Sequence, residues 1–345
     1  MTTNVQSDVA YHARQHGRWH WSEFAYWIAV LAVGLAFPSR YLIMTEIVRL
    51  ALFALSLDLI LGYAGIVSLG HAAFFGVGAY CAGLLSAHGL IDEPLLALIV
   101  SGLAAMVLGF VTSFLVIRGA DLTRLMVTLG IALLLEALAE RFSNITGGTD
   151  GLQGIDIKPL LGLFEFDMFG RTGFFYALAV LFVLFLLARR IVHSPFGLSL
   201  RAIKNNPLRA AAIGIPVNRR LIAIYTVAAF YAGIAGALFT QTTALASLDV
   251  FAFDKSADLM LVLVIGGAGY LYGGLIGALV FRMLQEVFQT ITPQYWMFWI
   301  GLVLVVIVLV GRQRIHAAAL FVPNLILKQL AGRKAVVALS DNEAP

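Results

Sequence analysis

Seven Lys or Arg residues and no acidic residue occur in the stretch RRIVHSPFGLSLRAIKNNPLRAAAIGIPVNRR, Arg189–Arg220. The chain around this stretch is strongly apolar, because 61% of all residues are hydrophobic and only 12% are charged. A soluble domain of 345 residues could not bury so much apolar surface, so the composition indicates an all-α polytopic membrane protein. Basic residues of such proteins accumulate in cytoplasmic loops. We therefore predict that residues 189–220 form a large cytoplasmic loop.

The apolar segments of the chain predict about ten transmembrane helices. A bilayer core about 30 Å thick requires about 20 apolar residues for each crossing helix. The predicted spans are 24–39, 41–61, 68–87, 95–117, 123–143, 174–190, 221–243, 255–268, 272–291 and 296–311. They define a transmembrane domain over residues 24–311, with an N-terminal segment at 1–23 and a C-terminal tail at 312–345.

The distribution of Lys and Arg predicts the orientation of these spans. Ten crossings place both termini on the same side of the membrane. With cytoplasmic termini, 16 Lys or Arg residues lie inside, 4 lie outside and 3 lie within spans. This asymmetry favours cytoplasmic termini and a periplasmic loop at 144–173. The net charge of +4 is then a property of the membrane topology, and we expect no nucleic-acid binding.

Each half of the predicted domain contains one glycine-rich region, which suggests an inverted repeat of five plus five spans. The glycines are Gly62, Gly65, Gly70, Gly76 and Gly78 in the first half, and Gly266, Gly267, Gly269, Gly273, Gly274 and Gly277 in the second. In a continuous helix, Gly269, Gly273 and Gly277 would form a stripe for close helix packing. The alternative is an interrupted helix beside a substrate path.

Ionisable side chains within the spans are expected to face protein or water. Glu46 and Arg49 are three residues apart, and Arg282 and Glu286 are four apart. Because such spacings bring side chains together on one helix face, we predict that each pair neutralises itself locally.

Other ionisable residues lack an obvious local partner. Asp58 and His71 flank the first glycine-rich region, where they are expected either to pair with each other or to cap backbone groups left open by the glycines. Glu136 and Glu140 share one helix face, where their repulsion calls for protonation or for a partner such as Arg141.

Several ordered motifs carry a resemblance to a known family. They are Leu57–Gly65 (LDLILGYAG), Ser68–Tyr80 (SLGHAAFFGVGAY), Thr146–Leu152 (TGGTDGL), Arg201–Ile203, Ala211–Ile215 and Ala232–Leu238. Over roughly residues 40–312 the chain resembles the permeases of ABC importers for branched-chain amino acids, specifically the longer of their two permease types. The resemblance implies a type II importer-like permease of the bacterial inner membrane, which moves small amino acids into the cytoplasm by alternating access.

The resemblance also implies partners for this chain. They are a second related permease, two cytoplasmic ATPase subunits and a periplasmic substrate-binding protein. The sequence contains no G-x-x-x-x-G-K-[ST] phosphate loop, so ATP and Mg²⁺ are expected on the ATPase subunits. We expect no enzyme activity, cofactor or metal site in the chain itself.

The large basic loop is the candidate contact for an ATPase. Residues Leu198–Ile213 have helical character broken at Pro207, and Gly214 is a suitable helix stop. The candidate coupling residues are Arg201, Ala202, Lys204, Arg209, Ala211 and Gly214. Related permeases commonly carry acidic residues here, whereas this chain has Asn205–Arg209 (NNPLR). The alternative is that the basic residues only set the topology and bind anionic lipid headgroups.

Two further sets of residues are candidates for the transport site. The candidates for the substrate path and its gates are Asp58, Gly62, Gly65, Gly70, His71, Gly76, Gly266, Gly267 and Gly269. The candidates for docking the binding protein are Gly147, Thr149 and Asp150. An alternative function is an ion-coupled transporter or small-solute channel acting alone, and within the ABC class the substrate could also be urea, an amide or another small carboxylate.

Overall fold

The computed structural model describes residues 21–167 and 169–310 of the chain. This part is helical, with two isolated β-bridges and no strand among the described residues. The helices are α1 Trp21–Ala36, α2 Tyr41–Leu61, α3 Ala72–Ala87, α4 Pro94–Val116, α5 Asp121–Arg141, α6 Ser143–Thr146, α7 Arg171–Val192, α8 Pro195–Asn205, α9 Pro207–Ala212, α10 Val217–Thr243, α11 Phe253–Gly266, α12 Leu271–Ile291 and α13 Trp296–Val310. The predicted all-α class is confirmed.

Each predicted span coincides with a helix, displaced by no more than a few residues at either end. In the part of the chain that the structure describes, five helical segments are long and apolar enough to cross a membrane: Pro94–Val116, Leu122–Arg141, Arg171–Val192, Val217–Thr243 and Leu271–Ile291. Three shorter apolar segments lie at Glu23–Ala36, Ala72–Ala87 and Trp296–Ile307. These lengths and compositions are those of a membrane-integral protein.

The helices form two compact units that divide between Arg282 and Met283. The second unit contains the end of α12 and all of α13, which meet through stacked rings of Phe288 and Trp299 with centroids 6.3 Å apart. The first unit contains the basic loop and both glycine-rich regions.

Helix α10 is the centre of the first unit and touches the backbone of α3. A Cβ atom at Gly78 would overlap the carbonyl of Gly233, and one at Gly236 would overlap the carbonyl of Phe75. The two helices can approach this closely only because these positions lack side chains. The hydroxyl of Thr240 also donates a hydrogen bond to the Ala79 carbonyl at 3.0 Å. Helix α10 continues this packing against α4.

Helix α2 is the second central element of the unit. It contacts α10 directly and also packs against α7 and α11. Its contact with α12 is close, because a Cβ atom at Gly274 would lie 3.2 Å from Cβ of Ala54. Each central helix therefore packs on helices from the other half of the sequence. Helix α10, from the second half, packs on α3 and α4 of the first half, and α2, from the first half, packs on α11 and α12 of the second.

Charged side chains in this unit join different helices. Arg282 forms an ion pair with Glu46. Arg49 donates from Nη1 to the hydroxyl of Thr242 at 2.7 Å and to the carbonyl of Phe239 at 3.3 Å. Glu46 therefore forms its ion pair with another helix, through Arg282, and keeps in addition the favourable charge interaction with Arg49 that their spacing predicts.

The contact between α3 and α10 predicts different outcomes for two glycine substitutions. Gly236→Ala should lower the stability of the folded chain by about 1–3 kcal/mol, because the new methyl group meets a backbone carbonyl that cannot move aside. Thermal unfolding of the purified chain in detergent measures this loss.

Gly130→Ala in α5 is the matched control, because a Cβ atom there meets nothing within 4 Å. This substitution should leave the melting temperature unchanged or raise it, since Ala favours a helix over Gly. Equal melting of Gly236→Ala and wild-type chains would contradict the packing described above.

Candidate functional site

The two glycine-rich regions form turns that meet at one end of the helices. In the first turn the helix α2 ends at Leu61, and Gly65 takes a positive φ of 75°. In the second turn α11 ends at Gly266, and Gly267 and Gly269 have φ values of 100° and 89°. Such angles strain any residue with a Cβ atom, which explains glycine at these positions. Helix α12 begins at Leu271, so the glycine spacing of the second half belongs to an interrupted helix and not to a continuous stripe.

The buried carboxylate of Asp58 connects the two turns. Its Oδ1 atom accepts a hydrogen bond from the backbone N–H of Gly269 at 2.7 Å. A Cβ atom at Gly62 would overlap both this carboxylate and the Gly269 amide. The prediction that Asp58 caps backbone groups beside glycines is confirmed, although the group it caps belongs to the second glycine-rich region.

The basic loop contacts the first of these turns through α8. Lys204 donates from Nζ to the carbonyl of Gly62 at 2.6 Å. Its side chain also covers Gly65, where a Cβ atom would lie 3.1 Å from Cγ of Lys204. One turn earlier in α8, the guanidinium of Arg201 lies over the ring of Tyr63, 5.4 Å from its centroid. Burial raises the pKa of the Tyr63 phenol, so the ring stays neutral and presents its face to the cation.

A cavity of about 600 Å³ opens beside these contacts. Its walls include Gly62 and Gly269 from the two turns, together with Arg201 and Lys204 from α8. The lining residues also include Glu23, Tyr63, Phe185, Arg189, His193, Asn205, Ala268, Tyr270, Leu271 and Tyr272. The cavity thus combines aromatic rings with an excess of positive charge, which suits a small ligand that carries a carboxylate.

One wall of this cavity is an ion pair that the sequence did not reveal. Arg189 at the end of α7 pairs with Glu23 at the start of α1. Oε2 of Glu23 also accepts a hydrogen bond from the Tyr272 hydroxyl at 3.2 Å. Glu23 and Arg189 are too far apart in sequence for their spacing to predict a contact. The position of Glu23, an acidic residue just before the first apolar segment, was the one feature of the sequence that suggested a partner. The three groups bring the ends of α1, α7 and α12 together.

Other candidates for the substrate path lie in packed positions. His71 is fully buried, and its Nε2 atom lies 2.8 Å from the Ser56 hydroxyl. Its ring stacks on Phe53 with centroids 5.7 Å apart. A Cβ atom at Gly70 would overlap the carbonyl of Thr128, and one at Gly76 would overlap the Phe251 ring. These three residues do not line the cavity.

A similar contact places Gly266 in the hairpin between α11 and α12. A Cβ atom there would overlap the carbonyl of Gly273, so this glycine allows the two helices to approach each other. It does not line the cavity.

The candidate coupling residues divide into two groups. Arg201 and Lys204 contact the first turn, and Ala202 is half-buried in α8. Arg209, Ala211 and Gly214 are exposed at the tip of the loop. Leu208 and Ile213, which were not among the candidate coupling residues, are 83% and 71% exposed beside them. Their apolar side chains within a polar loop could have identified them from the sequence.

Local sequence explains the shape of this loop. Ser194 caps α8 by accepting from the Gly197 N–H, and Asn206 caps α9 by accepting from the Arg209 N–H at 2.9 Å. The helix breaks at Asn206, and Pro207, where the break was predicted, is the first residue of α9. Gly214 has a φ of 88° just beyond the end of α9, as a helix stop requires.

The candidate docking residues lie at the opposite end of α7 from the basic loop. Gly147 takes a positive φ of 78°, while Thr149 and Asp150 are exposed in a short 3-10 turn. The N–H of Leu152 donates to the carbonyl of Ala246 at 2.8 Å, which anchors this turn beside the end of α10. Among the residues that the structure describes, no cluster of three or more His, Cys, Asp or Glu could hold a metal ion.

Known proteins share much of this sequence. Residues 40–308 match the family described as "Branched-chain amino acid transport system / permease component". The high-affinity branched-chain amino acid permease LivM of Escherichia coli is 27% identical over 304 residues, which cover 79% of this chain and 70% of LivM. The probable branched-chain amino acid permease LivH of Methanocaldococcus jannaschii is 28% identical, with 66% of this chain and 73% of that protein covered.

A more distant similarity extends to sugar transport. The ribose import permease RbsC of Bacillus subtilis is 31% identical over 177 residues, which cover 46% of this chain and 54% of RbsC. No solved structure matches the chain. Because the family match extends over most of the sequence, this chain belongs to the permease components of branched-chain amino acid transport systems.

Proposed function

We propose that this chain is the transmembrane permease subunit of an ATP-driven ABC importer, which moves small amino acids, above all Leu, Ile and Val, from periplasm to cytoplasm. The family and the names of the LivM and LivH relatives support this substrate class. The observation that carries the mechanism is the hydrogen bond from Lys204 to the Gly62 carbonyl. It connects the loop that would meet an ATPase to the turns that close the inner end of the helices.

The proposed topology has ten spans, cytoplasmic termini and an inverted repeat of five plus five. The positions of the helices and the 16 to 4 distribution of basic residues support it. The packing of α2 and α10 on helices from the other half of the sequence supports the repeat, because a two-fold axis in the membrane plane would relate the two sets of contacts. In this topology α8 and α9 lie in the cytoplasm, and residues 144–173 form the periplasmic loop.

Alternating access would use the contact between the two turns as the inner gate. The bond between Asp58 and the Gly269 amide joins the two turns, and the bond between Lys204 and Gly62 holds α8 against the first of them. Each is a hydrogen bond with one charged partner, which contributes about 1.5–3 kcal/mol. An ATPase that moved α8 away would break the Lys204 bond, and the two turns could then separate. The cavity beside them, with Arg201 and Lys204, would receive the carboxylate of the amino acid as it leaves.

The proposed importer has further components. The exposed tip, with Arg209, Ala211, Gly214 and the apolar Leu208 and Ile213, would fit into a cleft of an ATPase subunit that holds ATP and Mg²⁺. A second related permease would complete the transmembrane pathway in the bacterial inner membrane. The exposed turn at Gly147, Thr149 and Asp150 would receive the periplasmic binding protein, which delivers the substrate.

The composition of the complex tests this proposal directly. Affinity purification of the chain from its native membrane in mild detergent should recover an ATPase and a second permease, which mass spectrometry identifies. The purified chain alone should transport nothing. Uptake by the isolated chain in vesicles with an ion gradient would contradict the proposal and favour a transporter that acts alone.

Loss of the Lys204 bond should uncouple ATP hydrolysis from transport. We expect Lys204→Met to weaken the closed gate by about 1.5–3 kcal/mol, and to raise ATP hydrolysis without binding protein by about tenfold or more. Transport per ATP should fall accordingly, as measured in proteoliposomes of the complete complex.

Arg219→Met is the control for Lys204→Met, because Arg219 is an exposed cation of the same loop that does not line the cavity. It should behave as the wild type. If Lys204→Met kept normal coupling, the contact with Gly62 would not transmit the movement of α8.

Two substitutions at Asp58 separate a hydrogen-bonding role from an ion-carrying role. Asp58→Asn retains an oxygen that can accept from the Gly269 amide, so we expect transport to fall only a few-fold. Asp58→Leu removes the acceptor and should reduce transport about tenfold or more. Complete loss of transport in Asp58→Asn would indicate that the charge itself is required, as an ion-coupled mechanism demands.

A further inference from the structure

An apolar groove runs along the outside of the first unit, between α4 and α7 with α10 as its floor. Two open cavities of about 1010 and 500 Å³ form it, and they share Leu187 and Phe230. We refer to this feature as the α4–α7 groove. Its sides include Ile99 and Leu103 of α4 and Val183 of α7. Val183 and Leu187 are 55% and 48% exposed, so the groove is open to the surroundings of the helices.

Both ends of the groove carry an arginine. Arg171 at the start of α7 lines one cavity, and Arg190 near its end lines the other. They are 19 residues apart (190 minus 171), which corresponds to about 28 Å along an α-helix. The hydrocarbon core of a bilayer is about 30 Å thick. If α7 crosses the membrane, the two guanidinium groups therefore lie near the two headgroup regions.

Neither arginine has an acidic partner in the described part of the chain. Both side chains are exposed, and no ion pair joins them to a described residue. Arg189, the neighbour of Arg190, is by contrast 8% exposed and paired with Glu23. The α4–α7 groove thus combines apolar walls with a cation at each end that no described residue pairs with. This combination matches the chemistry of a phospholipid, whose acyl chains are apolar and whose phosphate is anionic.

We propose that the α4–α7 groove binds an anionic glycerophospholipid of the cytoplasmic leaflet. Its phosphate contacts Arg190, and an acyl chain follows Leu187 and Phe230 into the groove. A transmembrane helix of another protein would satisfy the apolar walls, but Arg190 would still need an anion at its end of the groove, and a lipid supplies that anion together with an apolar chain. The choice of leaflet rests on the topology proposed above, whereas lipid binding does not depend on the transport mechanism, so either of these two can fail without the other.

Native mass spectrometry of the intact chain, purified in mild detergent together with its bound partners, tests the site. Titration with phosphatidylglycerol should give one retained lipid, held more tightly than phosphatidylcholine. Arg190→Met should weaken phosphatidylglycerol binding about fivefold, which corresponds to the loss of one basic residue near a lipid phosphate. Leu187→Trp should fill the groove and reduce the retention of both lipids.

Two matched variants control for general effects on the membrane surface. Arg219→Met removes an exposed cation of the same loop, and Leu115→Trp enlarges a 63% exposed side chain of α4; neither residue lines the groove. Both should retain phosphatidylglycerol as the wild type does. All variants must elute as the wild type does in size-exclusion chromatography, so that loss of lipid reports the groove and not unfolding.

Two results would overturn the proposal. The first is equal phosphatidylglycerol retention by the wild type, Arg190→Met and Leu187→Trp. The second is a specific cysteine cross-link from Val183→Cys, introduced into a Cys81→Ser chain, to a co-purifying permease. Such a cross-link would mean that protein and not lipid occupies the groove.

Discussion

The hydrogen bond between the buried carboxylate of Asp58 and the backbone N–H of Gly269 is the interaction that joins the two glycine turns at one end of the helices, and the arrangement around them depends on it. A carboxylate in an apolar interior is costly unless strong donors surround it, and a backbone amide that leaves a helix needs an acceptor. The bond satisfies both requirements at once. It also requires the backbones of the two turns to touch: a Cβ atom at Gly62 would overlap the Gly269 amide, and Gly269 itself has a positive φ that favours glycine.

The carbonyl of Gly62 connects the contact between the two turns to the basic loop. Because the Gly62 carbonyl follows the end of α2, it has no helical partner and accepts from Lys204 instead. The basic loop is thereby attached to the first of the two turns that the bond between Asp58 and Gly269 joins. Glu23, Arg189 and Tyr272 connect the ends of three further helices beside this point. A displacement of α8 would therefore act on a region where a few hydrogen bonds and one ion pair connect the ends of several helices.

The sequence predicted the helical segments well, because crossing a bilayer imposes a length and a composition that can be read directly. Pro207 and Gly214 predicted the local shape of the basic loop, because a helix break and a helix stop depend on immediate neighbours in the chain. Prediction failed where partners are distant in sequence. Glu46 was assigned to Arg49 but pairs with Arg282, and nothing local indicated that Lys204 would reach the first glycine turn.

By itself, the sequence determined that this chain is an all-α membrane protein with a large basic loop, two glycine-rich regions and the motifs of its permease family. Only the tertiary structure decided which of the chosen residues meet. Asp58, Gly62, Lys204 and Gly269 come together at one end of the helices, whereas His71 is enclosed by Ser56 and Phe53. The reason is physical: composition and spacing fix local conformation, but a carboxylate, an amide and an ammonium find their partners only when packing brings distant segments within hydrogen-bonding distance.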